Sequence, residues 1–253
     1  MDASLGVDWA GGCWLCLEDR PKHTAPQPAT YDSIEKIWEA YDQGHEIERL
    51  CIDIPIGLPT GPNERAVDKQ CRSFLDRTST VFRVPVREAL DTDTPEEANK
   101  ASRSSTQTDD TDGVGVQPPA YAIRNQILEV NTFIEESELS TIDIIYEVHP
   151  ELCFTAFSGS PLQHSKKTAH GVAERIESLD NVADNASRVV GETLLEIKDQ
   201  TDGDSEISVD DVLDALAAMY TATAPDNEFR LLVDGEDTMP PQRMAYRSSS
   251  ELF

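Results

Sequence analysis

Alternation of apolar and polar residues predicts strands in several parts of the chain. Residues 4–9 and 13–18 lie on either side of the turn Ala10-Gly11-Gly12, which predicts an opening hairpin. A third strand is expected near residues 24–30, although prolines weaken that pattern. Short apolar runs at 48–54 and 141–149 predict a fourth and a fifth strand, both buried, and residues 228–233 predict an edge strand.

Apolar residues at helical spacing predict helices between and after these strands. The expected ranges are 33–44, 63–75, 120–136, 150–157, 168–179, 186–197 and 209–223. The last helix has the clearest start, because Ser208 stands at its N-cap and Asp210 and Asp211 lie in its first turn. The element order predicts an α/β fold, a mixed sheet flanked by helices.

The same pattern predicts one domain over residues 1–235 and a polar C-terminal tail over 236–253. Between the fourth and fifth strands, about residues 60–140 are expected to form a helical insertion. Residues 91–118 are poor in apolar side chains and rich in Thr, Ser and Asp, so a mobile acidic loop is expected there, with a short helix at 95–101.

Charge is the strongest feature of the composition. The 253 residues include 48 acidic and 21 basic ones, which gives a net charge of −27. Such a chain repels nucleic acid at ordinary salt. However, the acids are spread along the chain and Arg (14) outnumbers Lys (7), as in halophilic proteins. In molar salt the Debye length is only about 3 Å, so the charge no longer excludes a polyanionic substrate.

The length of the apolar runs and the number of cysteines indicate where in the cell the protein is expected. No apolar run approaches 20 residues, so no membrane-spanning helix and no membrane partner are expected. The first residues lack the basic and apolar regions of a signal peptide. The five cysteines are few and odd in number, which argues against a disulfide scaffold and predicts a reducing, cytoplasmic location.

Two aspartates stand near the ends of predicted strands, and two lie on the last helix. Asp8 and Asp53 have apolar neighbours, where a carboxylate is costly unless it is paired, hydrogen-bonded or metal-bound. Asp211 and Asp214 share one helix face, and Asp214 lies among apolar residues. Asp8 and Asp53 could each simply cap a strand end, and Asp211 suits any first helical turn. Together, the four predict a catalytic metal site.

Further candidates for chemistry lie after the fifth strand and among the basic residues. Glu147 and His149 are a candidate catalytic pair in which the histidine is a ligand or a proton carrier, although a lone histidine is more often structural. The basic residues could contact substrate phosphates, but salt bridges to neighbouring acids explain them equally well. These candidates are Arg65, Arg72, Arg83, Arg87, Lys166 and Lys167.

Several motifs resemble a known family. The carboxylates on the first strand, after the fourth strand and on the last helix are arranged as in the ribonuclease H-like superfamily, and the Asp211/Asp214 pair is similar to RuvC-type junction resolvases. More closely, the chain resembles family 429 of the domains of unknown function, which are predicted nucleases. The motifs are Gly6-Val7-Asp8, the Asp53-to-Pro59 loop, Val81-Phe82 with Pro85 and Arg87, the Tyr146-to-Phe154 segment, Lys166-Lys167-Thr168 and the Asp210-to-Ala215 segment. One departure is Asn131, where the family often has an acid.

The resemblance implies a ribonuclease H-like sheet and a nuclease that uses Mg²⁺ or Mn²⁺ to hydrolyse DNA or RNA. Asp8, Asp53, Asp211 and Asp214 would hold the metal ions. It is also compatible with a homodimer, because junction resolvases are dimers. An alternative is a non-catalytic metal- or nucleotide-binding module of the same fold. A phosphotransferase related to actin and the sugar kinases ranks last, because duplicated halves and Gly-rich phosphate loops are not visible.

Overall fold

The computed structural model describes residues 2–19, 26–41, 43–200, 206–235 and 238–250. These residues form seven strands and eleven α-helices. The strands are β1 (Ala3–Ala10), β2 (Cys13–Asp19), β3 (Gln27–Tyr31), β4 (Ile47–Ile52), β5 (Ile145–Val148), β6 (Phe229–Val233) and β7 (Arg243–Arg247). The helices are α1 (Ile34–Ala40), α2 (Ala66–Ser73), α3 (Arg87–Leu90), α4 (Pro95–Thr106), α5 (Pro118–Ala122), α6 (Arg124–Glu135), α7 (Leu139–Ile142), α8 (Pro150–Ser158), α9 (Ala169–Leu179), α10 (Ala186–Gln200) and α11 (Val209–Ala222). A 3₁₀ turn occupies Thr78–Thr80.

The strands form one mixed sheet in the order β3-β2-β1-β4-β5-β7-β6. The first three strands are antiparallel neighbours, whereas β1, β4, β5 and β7 run parallel to one another. The last strand in this order, β6, pairs antiparallel with β7 at the edge. The predicted mixed α/β sheet is therefore confirmed, as is the edge position of the strand near 228–233.

Helices cover both faces of the sheet, as the alternation of side chains along the strands requires. Leu15 and Leu17 of β2 pack with the cluster that contains helices α8 to α11. Trp14 and Cys16, one residue out of phase, pack with the cluster that contains α1 and α6. All five cysteines are free thiols, and four are buried. In the described ranges, no helix is both long enough and apolar enough to cross a bilayer.

Two predicted segments differ in the structure. The expected tail over 236–253 contains β7, whose Met244, Ala245 and Tyr246 are buried between β5 and β6. A run of only three apolar residues between Arg243 and Arg247 gives a weak sequence signal. Residues 236–237 and 251–253 of that prediction lie outside the described residues, as do residues 24–25 of the predicted third strand.

The segment 91–118, expected to be a mobile acidic loop with a short helix at 95–101, carries a longer helix, the twelve-residue α4. Thr94 caps it by accepting a hydrogen bond from the Glu97 N–H, and Pro95 follows at its first position. The returning chain is held by α4, because Ser102 donates to the Val114 carbonyl and the Val114 N–H donates to Thr106. The polar residues that suggested a loop therefore serve as a cap and as tethers.

Candidate active site

A glycine on β1 lets helix α11 approach the sheet closely. A Cβ atom added at Gly6 would lie 2.2 Å from the Met219 backbone nitrogen and 2.4 Å from the Ala215 carbonyl oxygen, so a larger residue would push the helix away. Because side chains alternate along a strand, Asp8 belongs to the same face as Gly6. The close contact therefore places Asp8 and Asp214, one from the strand and one from α11, on a common side of the sheet.

Parallel pairing of β1 with β4 brings a second strand aspartate to the same region. Val7 pairs with Ile52, and the Asp53 N–H continues the ladder by donating to the Val7 carbonyl at 3.0 Å. Asp53 consequently follows β4 directly beside the end of β1, where Asp8 lies. The parallel register thus joins two carboxylates that are 45 residues apart in the sequence.

Asp8, Asp53 and Asp214 interact electrostatically in a buried environment. Burial raises the pKa of Asp8 well above its usual value, and the carboxylates of Asp53 and Asp214 raise it further. Burial and the charge of Asp214 raise the pKa of Asp53 to about 8. Burial also raises the pKa of Asp214 to about 6, although the nearby Lys166 ammonium opposes the shift. We call these three residues the acid cluster. Repulsion between their carboxylates favours binding of a proton or another cation.

Lys166 supplies a positive charge to this cluster. Its Nζ lies 2.5 Å from Asp214 Oδ2 and 3.7 Å from Asp210 Oδ2. Burial disfavours the charged ammonium, but the charge and hydrogen bond of Asp214 outweigh that effect and raise the pKa of Lys166. The other oxygen of Asp214, Oδ1, is buried and has no hydrogen-bond partner among the residues that the structure describes.

Asp211 has a structural role at the start of α11. Its Oδ2 accepts hydrogen bonds from the Ser208 N–H at 2.8 Å and from the Ser208 hydroxyl at 2.9 Å. The Asp211 N–H in turn donates to the Ser208 hydroxyl, which completes a capping box. Its charge still contributes to the raised pKa of Asp8, but the cap explains the residue without a metal.

A cavity of about 630 Å³ opens beside the acid cluster. Asp53 and Asp214 line it, whereas Asp8 does not. Within the described ranges, its charged lining is balanced, with five acidic and five basic residues in a protein of net charge −27. The charged residues are Asp53, Asp68, Glu147, Glu151, Asp214, Arg65, Arg77, Lys166, Lys167 and Arg175.

Three residues that line this cavity have a buried polar atom without a partner among the described residues. Besides Asp214 Oδ1, these are the Nδ1 atom of His149 and the Nε atom of Arg175, for which the described part of the chain offers no hydrogen-bond partner. The other ring nitrogen of His149 lies 3.4 Å from the Thr80 carbonyl oxygen, and burial lowers the pKa of His149. His149 is therefore neutral at pH 7 and has one ring nitrogen available to a ligand or a water molecule.

Arg65 has a different role from the phosphate contact expected from the sequence. Its buried guanidinium forms two hydrogen bonds with Glu147, at 2.7 and 2.8 Å, and it also pairs with Asp68. Glu147 additionally accepts a hydrogen bond from the Ile56 N–H at 2.8 Å. This network fixes the loop after Asp53, so Arg65 and Glu147 act on the site through the backbone of that loop.

Asn131 of α6 holds the same loop through its side-chain amide. Its Oδ1 accepts from the Gly57 N–H and its Nδ2 donates to the Pro55 carbonyl, both at 2.8 Å. The position at which the family resemblance predicts an acid is thus a clamp on the loop that follows Asp53. In the sequence, this position stood out because it has an asparagine where the family often has an acid.

The remaining predicted phosphate contacts fall into two groups. Lys166 and Lys167 line the cavity, together with Arg77, which is not among the phosphate contacts predicted from the sequence. Arg72, Arg83 and Arg87 do not line it. Arg72 pairs with Glu64, Arg87 pairs with Glu135, and Arg83 donates to the Pro62 carbonyl.

Carboxylate oxygens are the ligands that Mg²⁺ and Mn²⁺ prefer, so the acid cluster has the right donor chemistry for either ion. The unpartnered Oδ1 of Asp214 supports that fit. In the present side-chain arrangement, however, the described residues contain no group of three or more His, Cys, Asp or Glu side chains positioned to hold a metal ion. The ammonium group of Lys166 already neutralises part of the negative charge of the acid cluster.

Comparison with known proteins gives one match. The family model described as "Protein of unknown function (DUF429)" matches residues 6–238, which include every residue of the acid cluster. No curated protein and no solved structure matches the chain.

Proposed function

The chain belongs to the DUF429 family, and from its acid cluster we propose that it is a divalent-metal-dependent nuclease with a ribonuclease H-like fold. The sheet order supports this fold, because an antiparallel β3-β2-β1 unit continues into parallel β4 and β5. The observation that carries the proposal is the electrostatic coupling of Asp8, Asp53 and Asp214 beside a cavity.

Asp8, Asp53 and Asp214 would hold Mg²⁺ or Mn²⁺, and Asp211 would stay with its helix cap. When bound, the metal would supply an activated water and stabilise charge on the leaving oxygen. Neutral His149 would accept a hydrogen bond from a water molecule or substrate through Nδ1. Lys167 would neutralise phosphate charge at the cavity, whereas Lys166 is paired with Asp214. The Arg65–Glu147 network would keep the Asp53 loop in place.

The decisive test is a cleavage assay in molar KCl with Mg²⁺ or Mn²⁺. The substrate panel contains RNA/DNA hybrids, branched DNA and single strands. Cleavage should depend on the metal and fall at least about 100-fold in Asp8→Asn and Asp214→Asn, because each change removes a metal ligand. Asp93→Asn, which changes an exposed aspartate outside the cavity, is the matched control. Equal cleavage by all four proteins would overturn the proposal.

A second candidate function is supported by the Lys166–Asp214 pair. Because an ammonium group already neutralises the acid cluster in part, the site could bind a nucleotide without cleaving it. The fold would then serve as a non-catalytic binding module. Nucleotide binding in the absence of turnover on every substrate of the panel would favour this function over hydrolysis.

A further inference from the structure

One part of the cavity lining is apolar and aromatic. Phe82 and Ile123 are half-buried, line the cavity and pack against the core cluster on the α1 and α6 side. Pro119 also lines it. Aromatic side chains are the surfaces on which proteins stack single nucleobases, and this stacking tolerates any base. Phe82 is therefore a candidate base platform beside a charged site.

Two exposed cations of the cavity are available to a phosphate. In the described residues, neither Arg77 nor Lys167 forms an ion pair with a carboxylate, and Arg77 donates only a 3.2 Å hydrogen bond to the Gln163 carbonyl. The other basic residues of the cavity are already paired, Arg65 with Glu147, Lys166 with Asp214 and Arg175 with Glu151. Arg77 and Lys167 thus provide positive charge that is not held in an ion pair with a described carboxylate.

The size of the cavity limits what it can hold. A volume of about 630 Å³ lies within the range of roughly 300–1,000 Å³ for small-ligand sites. Bases in an intact duplex stay paired and stacked, so they reach such a pocket only when they are extruded. A single unpaired nucleotide needs no extrusion, and two residues that line the cavity, Asp214 and His149, each have a polar atom without a partner among the described residues.

We propose that this cavity binds one nucleoside monophosphate unit, with its phosphate at Arg77 and Lys167 and its base against Phe82. The unit is either a free nucleotide or the end of a single strand. The inference deepens the proposed function, on which it rests for the placement of phosphate beside the acid cluster. It names the substrate class as unpaired nucleotides instead of continuous duplex.

The test is a calorimetric binding titration in molar KCl without divalent metal. The probes are adenosine 5′-monophosphate and ribose 5-phosphate, which differ only by the base. The nucleotide should bind about five- to 150-fold more tightly, as expected for one stacked base. Phe82→Leu should reduce this preference at least about fivefold. Phe133→Leu, which changes a half-buried ring outside the cavity, should keep it. Melting curves establish that both variants are folded.

Competition experiments distinguish the two sources of the unit. A linear single-stranded DNA decamer that displaces the nucleotide, when circular single-stranded DNA does not, supports a strand end. Displacement only by free nucleotides supports a small-molecule substrate. Equal affinity for the two probes, or a preference unchanged in Phe82→Leu, would overturn the inference. Since no turnover is measured, these results are independent of the cleavage assay: tight nucleotide binding without cleavage would count against the nuclease alone.

Discussion

The ammonium nitrogen of Lys166 lies 2.5 Å from Oδ2 of Asp214, within the cluster of carboxylates proposed to hold a metal. Lys166 comes from the segment before α9, whereas Asp214 is in the second turn of α11. The pair joins two elements that are 48 residues apart. A lysine in this position neutralises charge that a divalent cation would otherwise neutralise, so the two cations should compete.

Replacing Lys166 should therefore strengthen metal binding. In Lys166→Met, Mn²⁺ affinity measured by calorimetric titration should rise about tenfold, equivalent to ~1.4 kcal/mol, because the competing ion pair is gone. Lys167→Met is the control, since Lys167 is exposed and does not pair with Asp214. Weaker Mn²⁺ binding in Lys166→Met would mean that the lysine supports the metal site instead of competing with it.

The raised pKa of Asp53 predicts how stability depends on pH. Its pKa is about 8 in the folded protein, compared with an ordinary value of 3.8. The folded chain then holds the proton more tightly than the unfolded chain, so the free energy of unfolding falls as the pH rises from about 4 to about 8. Asp53→Asn removes this loss. In EDTA, the difference in unfolding free energy between Asp53→Asn and the original protein should shift in favour of the variant between pH 4 and pH 8. The shift should be at least ~1.4 kcal/mol, which corresponds to one pKa unit. A pH-independent difference would contradict the raised pKa.

The Arg65 network should matter for stability more than any exposed ion pair. Arg65→Met leaves the buried carboxylates of Glu147 and Asp68 without their partner, which should cost about 3–5 kcal/mol of unfolding free energy. Arg87→Met, which breaks the partly exposed pair with Glu135, should cost about 1 kcal/mol or less. Denaturant unfolding at constant molar KCl measures both. Similar losses in the two variants would show that the internal network is not the stronger one.

Part of this site could be predicted from the sequence because its signals are local. Asp8, Asp53 and Asp214 stood out as acids in apolar surroundings, and the family resemblance implied that they lie together. Asp211 lies in the first turn of a helix, where an acid can either cap the helix or bind a metal. The local sequence therefore could not distinguish a capping residue from a metal ligand. Arg65 depends on Glu147, 82 residues away, and no local pattern reveals such a partner. The strand β7 was missed because its five residues begin and end with arginine. They are too few to show a clear alternation of apolar and polar side chains.

Asn131 illustrates a residue whose role appears only in three dimensions. Its amide donates to the Pro55 carbonyl and accepts from the Gly57 N–H, a combination that a carboxylate makes only when protonated. Asn131→Asp should therefore be less stable than the original protein by about 1–3 kcal/mol at pH 8. The deficit should shrink towards pH 5, as protonation restores a donor. Asn63→Asp, which changes an exposed asparagine, should show no such trend. Chemical denaturation at the two pH values tests this, and a constant deficit would argue against the clamp.

The excess of acidic residues predicts that the stability of the fold depends on salt. With 48 acidic and 21 basic residues, self-repulsion should loosen the fold when salt no longer screens it. The melting temperature should therefore fall steadily as KCl is diluted from molar to millimolar concentration. EDTA must be present, so that occupancy of the acid cluster by divalent cations does not contribute. Sucrose at equal osmolarity is the control, because it is excluded from protein surfaces without screening charge. Full protection by sucrose at low salt, or a melting temperature independent of KCl, would remove the halophilic interpretation. Charge repulsion would then again weigh against a nucleic-acid substrate.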